Sequence, residues 1–208
     1  QFRGEDGVTR VELYYALPSW NVVTSSTGSG YGVVDLKKGM FLFDSAWDTV
    51  AYKVTAVNRL PRVTLKSLNR DYFLVSESLE VNPGLYHFAL EAVNPAPATK
   101  RIGSVRDSLL IRRFDSDSLE ISSVLLAWRV QRGADEPGRD GFRILPNPIR
   151  RFDDDTRGAA YFEVYNLTQN ASGQTRYEVT YQLRSLTEKG SPVTGQWMTA
   201  VTYAHTGS

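Results

Sequence analysis

The 208-residue sequence predicts an all-β fold, and three observations carry that prediction. Apolar and polar residues alternate along several stretches. Gly, Pro, Asn and Asp separate those stretches. Aromatics reach 12% of the chain, with 11 Tyr, 9 Phe and 4 Trp. A period of two buries one face of a pleated strand and wets the other, and flat rings pack well on such a face.

The first strand is read from Val11, Leu13, Tyr15 and Leu17, which alternate with Arg10, Glu12, Tyr14 and Ala16. Ser25–Gly32 is a longer polar loop. Its Gly28-Ser29-Gly30-Tyr31-Gly32 run lacks the lysine and the strand-then-helix setting of a phosphate loop, so it reads as a flexible turn. Met40–Phe43 is the next short strand. Val50, Tyr52, Val54 and Ala56 then alternate with Ala51, Lys53 and Thr55, which puts the first set on the expected buried face. Tyr72–Val75 follows.

Pro83-Gly84 next feeds a strand whose Tyr86, Phe88, Leu90 and Ala92 share one face. A tight turn at Gly84 followed by Tyr86 reads as a tyrosine corner, the phenol folding back onto the backbone near Leu79–Pro83. That feature belongs to immunoglobulin-like sandwiches. It speaks to fold and carries no chemistry.

Ser108–Phe114 is a further strand candidate. In Ile121–Val130, the trio Ile121, Leu125 and Trp128 fits helical spacing, with Ser122 or Ser123 as N-cap. The same run suits a buried strand, and its β surroundings favour strand. Beyond a polar loop at Gly133–Gly141 come Gly141–Leu145, Ala160–Leu167, Tyr177–Arg184 and Trp197–Tyr203. The Tyr177 strand alternates most cleanly, with Tyr177, Val179, Tyr181 and Leu183 against Arg176, Glu178, Thr180, Gln182 and Arg184.

Two echoes suggest an internal repeat. Val11-Glu12-Leu13-Tyr14-Tyr15 resembles Phe162-Glu163-Val164-Tyr165-Asn166, and Tyr52-Lys53-Val54-Thr55 resembles Tyr177-Glu178-Val179-Thr180. The expected architecture is two tandem immunoglobulin-like antiparallel β-sandwiches, residues 1–115 and 119–208, joined at Asp115-Ser116-Asp117-Ser118. The second reads as incomplete. No Gly-x-Tyr corner follows Tyr177, so its Ala160–Leu167 and Arg176–Arg184 strands have no later Gly-x-Tyr strand to pair with. Downstream sequence or a strand from a neighbouring subunit is expected to complete it.

Composition narrows the chemistry. The absence of Cys removes disulfides, thiolate catalysis and Cys-ligated metals. Net charge is +1, leaving no excess to drive phosphate-backbone binding, so nucleic acid is not an expected partner. No apolar run approaches the roughly 20 residues of a membrane-spanning helix. The start at Gln1, without Met or a basic-then-apolar leader, fits an exported mature product or an excised fragment.

His87 and His205 are the only histidines. Neither accompanies a nucleophile-elbow serine, and two cannot make a multi-histidine metal site. Asp115/Asp117 and Asp153-Asp154-Asp155 lack the spacing of a twelve-residue calcium loop and read as solvated turns paired with neighbouring arginines. Asn166-Leu-Thr and Asn170-Ala-Ser match the glycosylation sequon. Trp20, Trp47 and Trp197 are candidate interface residues, as amphipathic rings suit interfaces. No catalytic residue, metal ligand or cofactor is expected. The reading is a non-enzymatic structural or protein-binding module, with a protein partner or neighbouring subunit. The alternative is a carbohydrate-binding module that stacks exposed Trp and Tyr on sugars.

Three pieces add a family resemblance. They are Pro83-Gly84-Leu85-Tyr86-His87-Phe88-Ala89-Leu90, Leu119-Glu120-Ile121-Ser122-Ser123-Val124-Leu125-Leu126-Ala127, and Leu145-Pro146-Asn147-Pro148 followed by Tyr161-Phe162-Glu163-Val164-Tyr165-Asn166-Leu167. Their order resembles the β-rich region of GWxTD-domain proteins, exported proteins of the Bacteroidetes and relatives. Val11-Glu12-Leu13-Tyr14-Tyr15-Ala16-Leu17-Pro18 fits as well. The motif that names the family is absent, and its usual Ser-Asp-Ile is Ser122-Ser123-Val124 here. The resemblance implies tandem sandwiches, bacterial origin and export; with the functional reading above, the chain is expected in the periplasm, on the outer-membrane surface or outside the cell, as a subunit of an envelope or extracellular assembly. It transfers no functional residue.

Overall fold

The computed structural model describes residues 1–22, 24–27, 31–94, 101–115, 117–133, 141–184 and 197–207. Apart from two short 3-10 turns, every regular element among them is a strand. No helix of the described residues is long and apolar enough to cross a membrane. The chain divides into two compact units, residues 1–116 with 121–163, and residues 117–120 with 164–208. Residues 121–163 thus group with the N-terminal unit, a partition different from 1–115 and 119–208.

The first unit is built on an eight-stranded antiparallel sheet. Its strands are β1 (Phe2–Arg3), β2 (Thr9–Pro18), β3 (Thr24–Thr27), β4 (Tyr31–Phe43), β5 (Thr49–Leu65), β6 (Arg70–Val81), β7 (Gly84–Asn94) and β8 (Arg101–Ile111). The order is β1-β2-β6-β5-β4-β7-β8, with β3 on β4. β5 is the corner. Its 17 residues pair with β4 from Thr49 to Pro61, then with β6 from Arg62 to Leu65. Register shifts at Val33/Leu36 and Leu42/Phe43 add the local bends that such a turn needs. The sheet therefore curls, and β2 and β6 share their core with β4, β7 and β8.

That core consists of two apolar clusters. One gathers Val11, Met40, Leu42, Val81 and Ile111, with Leu13, Tyr86, Phe88 and Leu90 packed against it. The other gathers Val22, Val34, Leu36, Leu60, Phe73, Val75 and Ala92, with Tyr15 and Leu17 against it. The alternation read in β2 and β7 matches these faces. An ion pair separates the clusters along the strands. Lys38 follows Leu36 and precedes Met40; Glu77 follows Val75 and precedes Leu79. Lys38 Nζ lies 2.9 Å from Glu77 Oε1, whose side chain is 1% exposed, and also donates to the Ser76 carbonyl at 2.6 Å. Burial, and next the Glu77 charge, push the Tyr15 phenol up from its ordinary range.

β5 departs from the expected phase. Val50, Tyr52 and Val54 are exposed, while Ala51 packs against the core. The partner strand decides this. Tyr52 sits opposite Phe41 and Val54 opposite Gly39, whereas the core-filling residues of β4 are Met40 and Leu42. β8 also differs, running from Arg101 to Ile111 instead of Ser108 to Phe114. β7 pairs with it along its whole length, from Gly84↔Ile111 to Asn94↔Arg101. An edge strand needs backbone partners on one side only, so its polar first half carries no period for a reader to see.

In 121–163, β9 (Glu120–Ile121) precedes β10 (Leu125–Arg132), which pairs with β11 (Phe142–Pro146) and β12 (Ala159–Tyr161). Ile121–Val130 is thus extended rather than helical, with Ala127 fully buried. The expected Ala160–Leu167 strand is broken into β12 and β13 (Val164–Tyr165). The Glu163 amide turns aside to the Ser122 hydroxyl at 2.9 Å, and Asn166 adopts a left-handed φ of 61°. Arg10 holds Glu163 at 3.4 Å, and the Phe2 and Tyr161 rings lie 6.1 Å apart, which ties this segment to the curled sheet.

In the second unit, β14 (Thr175–Leu183) and β15 (Met198–Gly207) form an antiparallel hairpin, from Thr175↔Gly207 to Leu183↔Met198. The partner of the expected Arg176–Arg184 strand is thus the stretch read in the sequence as the Trp197–Tyr203 strand. The Met198–Gly207 stretch is extended enough to reach along it without any Gly-x-Tyr corner.

Glu77 is the vulnerable point of the first core. Lys38→Met should cost about 3–5 kcal/mol, since it strands a buried carboxylate, and Lys38→Met/Glu77→Leu should recover most of that loss. Denaturant midpoints of the two variants check both outcomes.

Candidate functional site

The outer face of β4, β5 and β7 concentrates aromatic side chains. The β4–β5 connection is a hydrogen-bonded turn. The Asp44 carboxylate accepts from the Ala46 and Asp48 amides at 2.9 and 3.0 Å, and its carbonyl accepts from Trp47 N at 3.1 Å. This closure holds Trp47 at a φ of 66°, a conformation costing a bulky residue on the order of 1–3 kcal/mol. The indole lies flat on the His87 ring, 4.2 Å between centroids and 3° between planes, with Phe43 at 5.8 Å. His87 Nδ1 lies 3.0 Å from Ser108 Oγ across the β7–β8 ladder.

One row further along, Tyr52 stacks on Phe41 at 6.2 Å. Gly39 makes room for that stack, because a Cβ there would come within 2.7 Å of the Phe41 ring. Exposure reaches 54% at Trp47, 48% at Val50, 66% at Tyr52 and 41% at Val54. Leu85 and Leu110, opposite each other on β7 and β8, are also exposed. The antiparallel sheet thus presents apolar side chains on the face where polar ones are the rule.

The other sequence-predicted residues sit elsewhere. Tyr86 Oη donates to the Asn82 carbonyl at 3.1 Å. Its ring folds back over Gly84, where a Cβ would meet ring atoms at 3.2–3.5 Å. Trp20 lies in the 3-10 turn after β2, edge-on to Tyr72, with the Arg70 guanidinium 5.3 Å from its ring. Trp197 precedes β15 under the Arg184 guanidinium at 4.4 Å. The three tryptophans therefore occupy three separate turns or strand starts. His205 lies in β15 at the register position opposite Tyr177.

The acidic clusters act as clamps. Asp153 accepts from the Lys66 and Ser67 amides, both at 2.9 Å, capping the 3-10 turn Lys66–Leu68. Asp155 pairs with Lys66 Nζ at 2.6 Å. The Ser67 hydroxyl, then the Ser67 and Lys66 amides, hold the Asp153 carboxyl below the usual carboxylate range. The Lys66 ammonium does the same to Asp155. Asp115 pairs with Arg113 at 2.7 Å. Among the described residues no group of three or more His, Cys, Asp or Glu is placed to hold a metal. A cavity of about 530 Å³ beside β2 has mixed lining, including Phe2, Glu12, Tyr14, Leu126 and Asn147. Burial raises the Tyr14 phenol, which donates to Glu12.

Sequence reasoning singled out Trp47 but missed the residues that join it, namely Phe41, Phe43, Val50, Tyr52 and Val54. Their alternation is visible; the face it selects depends on the β4 register. Comparison with protein-family models, with curated proteins and with solved structures finds no match for this chain.

Asp153 and Asp155 have lowered folded-state pKa values, so their stabilising contribution is complete above the ordinary aspartate range and is lost as the pH falls through and below it. Thermal unfolding from pH 7 to pH 3 should show a steeper loss for the native chain than for Asp153→Ala. Tyr86→Phe, by deleting one hydrogen bond, should cost about 0.5–1.5 kcal/mol in a denaturant titration without altering the fold.

Proposed function

We propose that this chain is a non-enzymatic structural or protein-binding module of an exported bacterial envelope or extracellular assembly, and that it engages a protein partner through the outer face of β4 and β5. The observation that carries the reading is the exposed apolar row that runs from Trp47 in the β4–β5 turn through Val50, Tyr52 and Val54 of β5, a strand paired with β4. Contiguous apolar side chains on an ordered face mark interaction surfaces, and aromatic rings dominate the buried centres of interfaces. The left-handed Trp47 turn adds support, since strain of this kind clusters at binding sites. Export and bacterial origin rest on the GWxTD-like pieces named above. The same resemblance supports a reading of the β-rich chain as tandem immunoglobulin-like sandwiches.

The β14–β15 hairpin favours a neighbour as well. No third strand joins it among the described residues, and Leu183, Trp197 and Met198 are exposed. A two-stranded hairpin is marginal alone, so further sequence or a neighbouring subunit's strand would complete it. A second reading, glycan binding, is favoured by the Trp47 ring held flat on His87, since a fixed indole is a suitable sugar platform.

A photo-crosslinking residue at position 52 should capture a discrete protein in native cells, and one at exposed Glu80 should not. Tyr52→Ser with Val54→Thr should abolish that capture while changing stability by about 0.5 kcal/mol or less. Glycan-array binding that vanishes on Trp47→Ala, without any protein adduct, would establish the second reading instead.

A further inference from the structure

β8 is an edge strand of the curled sheet, paired with β7 on one side only. Residues opposite each other on an antiparallel ladder share a face. Leu109, Asp107, Val105 and Gly103 therefore lie in the inner row with Tyr86, Phe88, Leu90 and Ala92, which belong to the core clusters or pack against them. That row is closed at one end of β8, where Ile111 is 2% exposed, and open further back, where Val105 is 59% exposed. A Cβ at Gly103 would meet nothing beyond its chain neighbours within 4 Å. A cavity of about 400 Å³ lies there. Leu17, Val22, Leu36 and Ala92 give it an apolar wall beside Gly103, and Asn21 and Asn94 also line it. The first half of β8 thus leaves the apolar interior uncovered.

The backbone edge follows the same division. Gln1 closes one end with its side-chain amide, which donates to the Leu110 carbonyl and accepts from the Arg112 amide just past the strand, both at 2.8 Å. The Ser108 amide, on the same edge, is taken by the Asp107 carboxylate at 2.8 Å. Backbone groups alternate between the two sides of a strand. Ser104 and Arg106 therefore present their N–H and C=O groups to the open edge, where no strand among the described residues pairs with them. At Gln1 this edge already holds a single amide in the place of a peptide group. An extended peptide repeats that pairing along Ser104 and Arg106 and sets alternate side chains over Gly103 and Val105. Asp107 selects among peptides. An inward carboxylate on an edge deters strands that cannot neutralise it, so the admitted strand carries a base opposite it.

We propose that the Gly103–Ser108 edge of β8 receives an extended segment of a partner protein as an added strand. At alternate positions that segment carries an apolar residue over Gly103, a second over Val105, and a lysine or arginine opposite Asp107. The first enters the cavity, the second covers the exposed valine, and the base pairs with the carboxylate. Main-chain bonds to Ser104 and Arg106 hold the strand whatever its remaining sequence. This edge is distinct from the outer face of β4 and β5, so binding at either can fail without the other.

Fluorescence anisotropy of the whole chain with labelled peptides tests it. The probes are Thr-Leu-Thr-Val-Thr-Lys-Thr in both chain directions, the same peptides with Glu for Lys, and the same with Pro for the inner Thr residues. The native chain should bind a Lys peptide saturably in one direction, the Glu version about fivefold more weakly, and the Pro version not at all. Asp107→Lys should reverse the Lys-over-Glu preference, and Glu80→Lys, an exposed acidic site on β6, should leave it unchanged. Hydrogen exchange at the Ser104 and Arg106 amides should be fast in the isolated chain and slow once peptide is bound. Absence of saturation by every peptide up to about 1 mM overturns the proposal. Slow exchange at both amides in the isolated monomer overturns it too, since the chain then covers its own edge. Slow exchange that appears only with dimerisation, and is lost with the dimer in Val105→Lys, puts a second copy there instead of a partner. A Lys-over-Glu preference unmoved by Asp107→Lys also overturns it.

Discussion

Lys38 and Glu77 meet between the two apolar clusters of the curled sheet, and the register of the first unit turns on that meeting. Desolvating either charge alone costs several kcal/mol, so each is tolerable only opposite the other. Lys38 lies on β4 and Glu77 on β6, strands that the β5 corner brings around to share one interior. A slip of one residue on either strand would turn a charge outward and leave its partner buried. The apolar clusters make the interior favourable. The ion pair selects which of several similar registers is allowed.

The corner in β5 has a second consequence. A strand that serves two halves of a sheet cannot follow one buried face along its whole length. Leu60 and Leu65 fill the interior near the corner, while Val50, Tyr52 and Val54 near the start lie outside. The exposed apolar face and the closed core are thus two results of one strand crossing. The outer face is stiffened by its own contacts, including Tyr52 on Phe41, Trp47 on His87, and the Asp44 turn beneath Trp47. A rigid aromatic surface gives up little conformational entropy on binding, which suits it to a partner.

Polar contacts decide how residues 121–163 join the first unit. Asp153 caps the Lys66–Leu68 turn, Asp155 holds Lys66, and Arg10 reaches Glu163. These are contacts between positions some 90 to 150 residues apart in sequence. Asp153 and Asp155, close to each other in sequence, both engage the 3-10 turn at Lys66 and Ser67.

The amino-acid sequence by itself determined the all-β character, the inward faces of β2 and β7, and the Tyr86–Gly84 turn. Each follows from local rules: alternation, turn chemistry and the bulk of aromatic rings. It also made Trp47 visible as a candidate. Tertiary structure decided the rest. The face shown by Val50, Tyr52 and Val54 depends on which β4 residues they oppose. β8 extends to Arg101 because β7 offers a backbone there, and β14 is paired because β15 returns to it. The Asp153 cap on the Lys66–Leu68 turn and the Arg10–Glu163 contact join positions whose separation leaves no local trace. A period of two tells that a strand has two faces; only the neighbouring strands determine which one meets water.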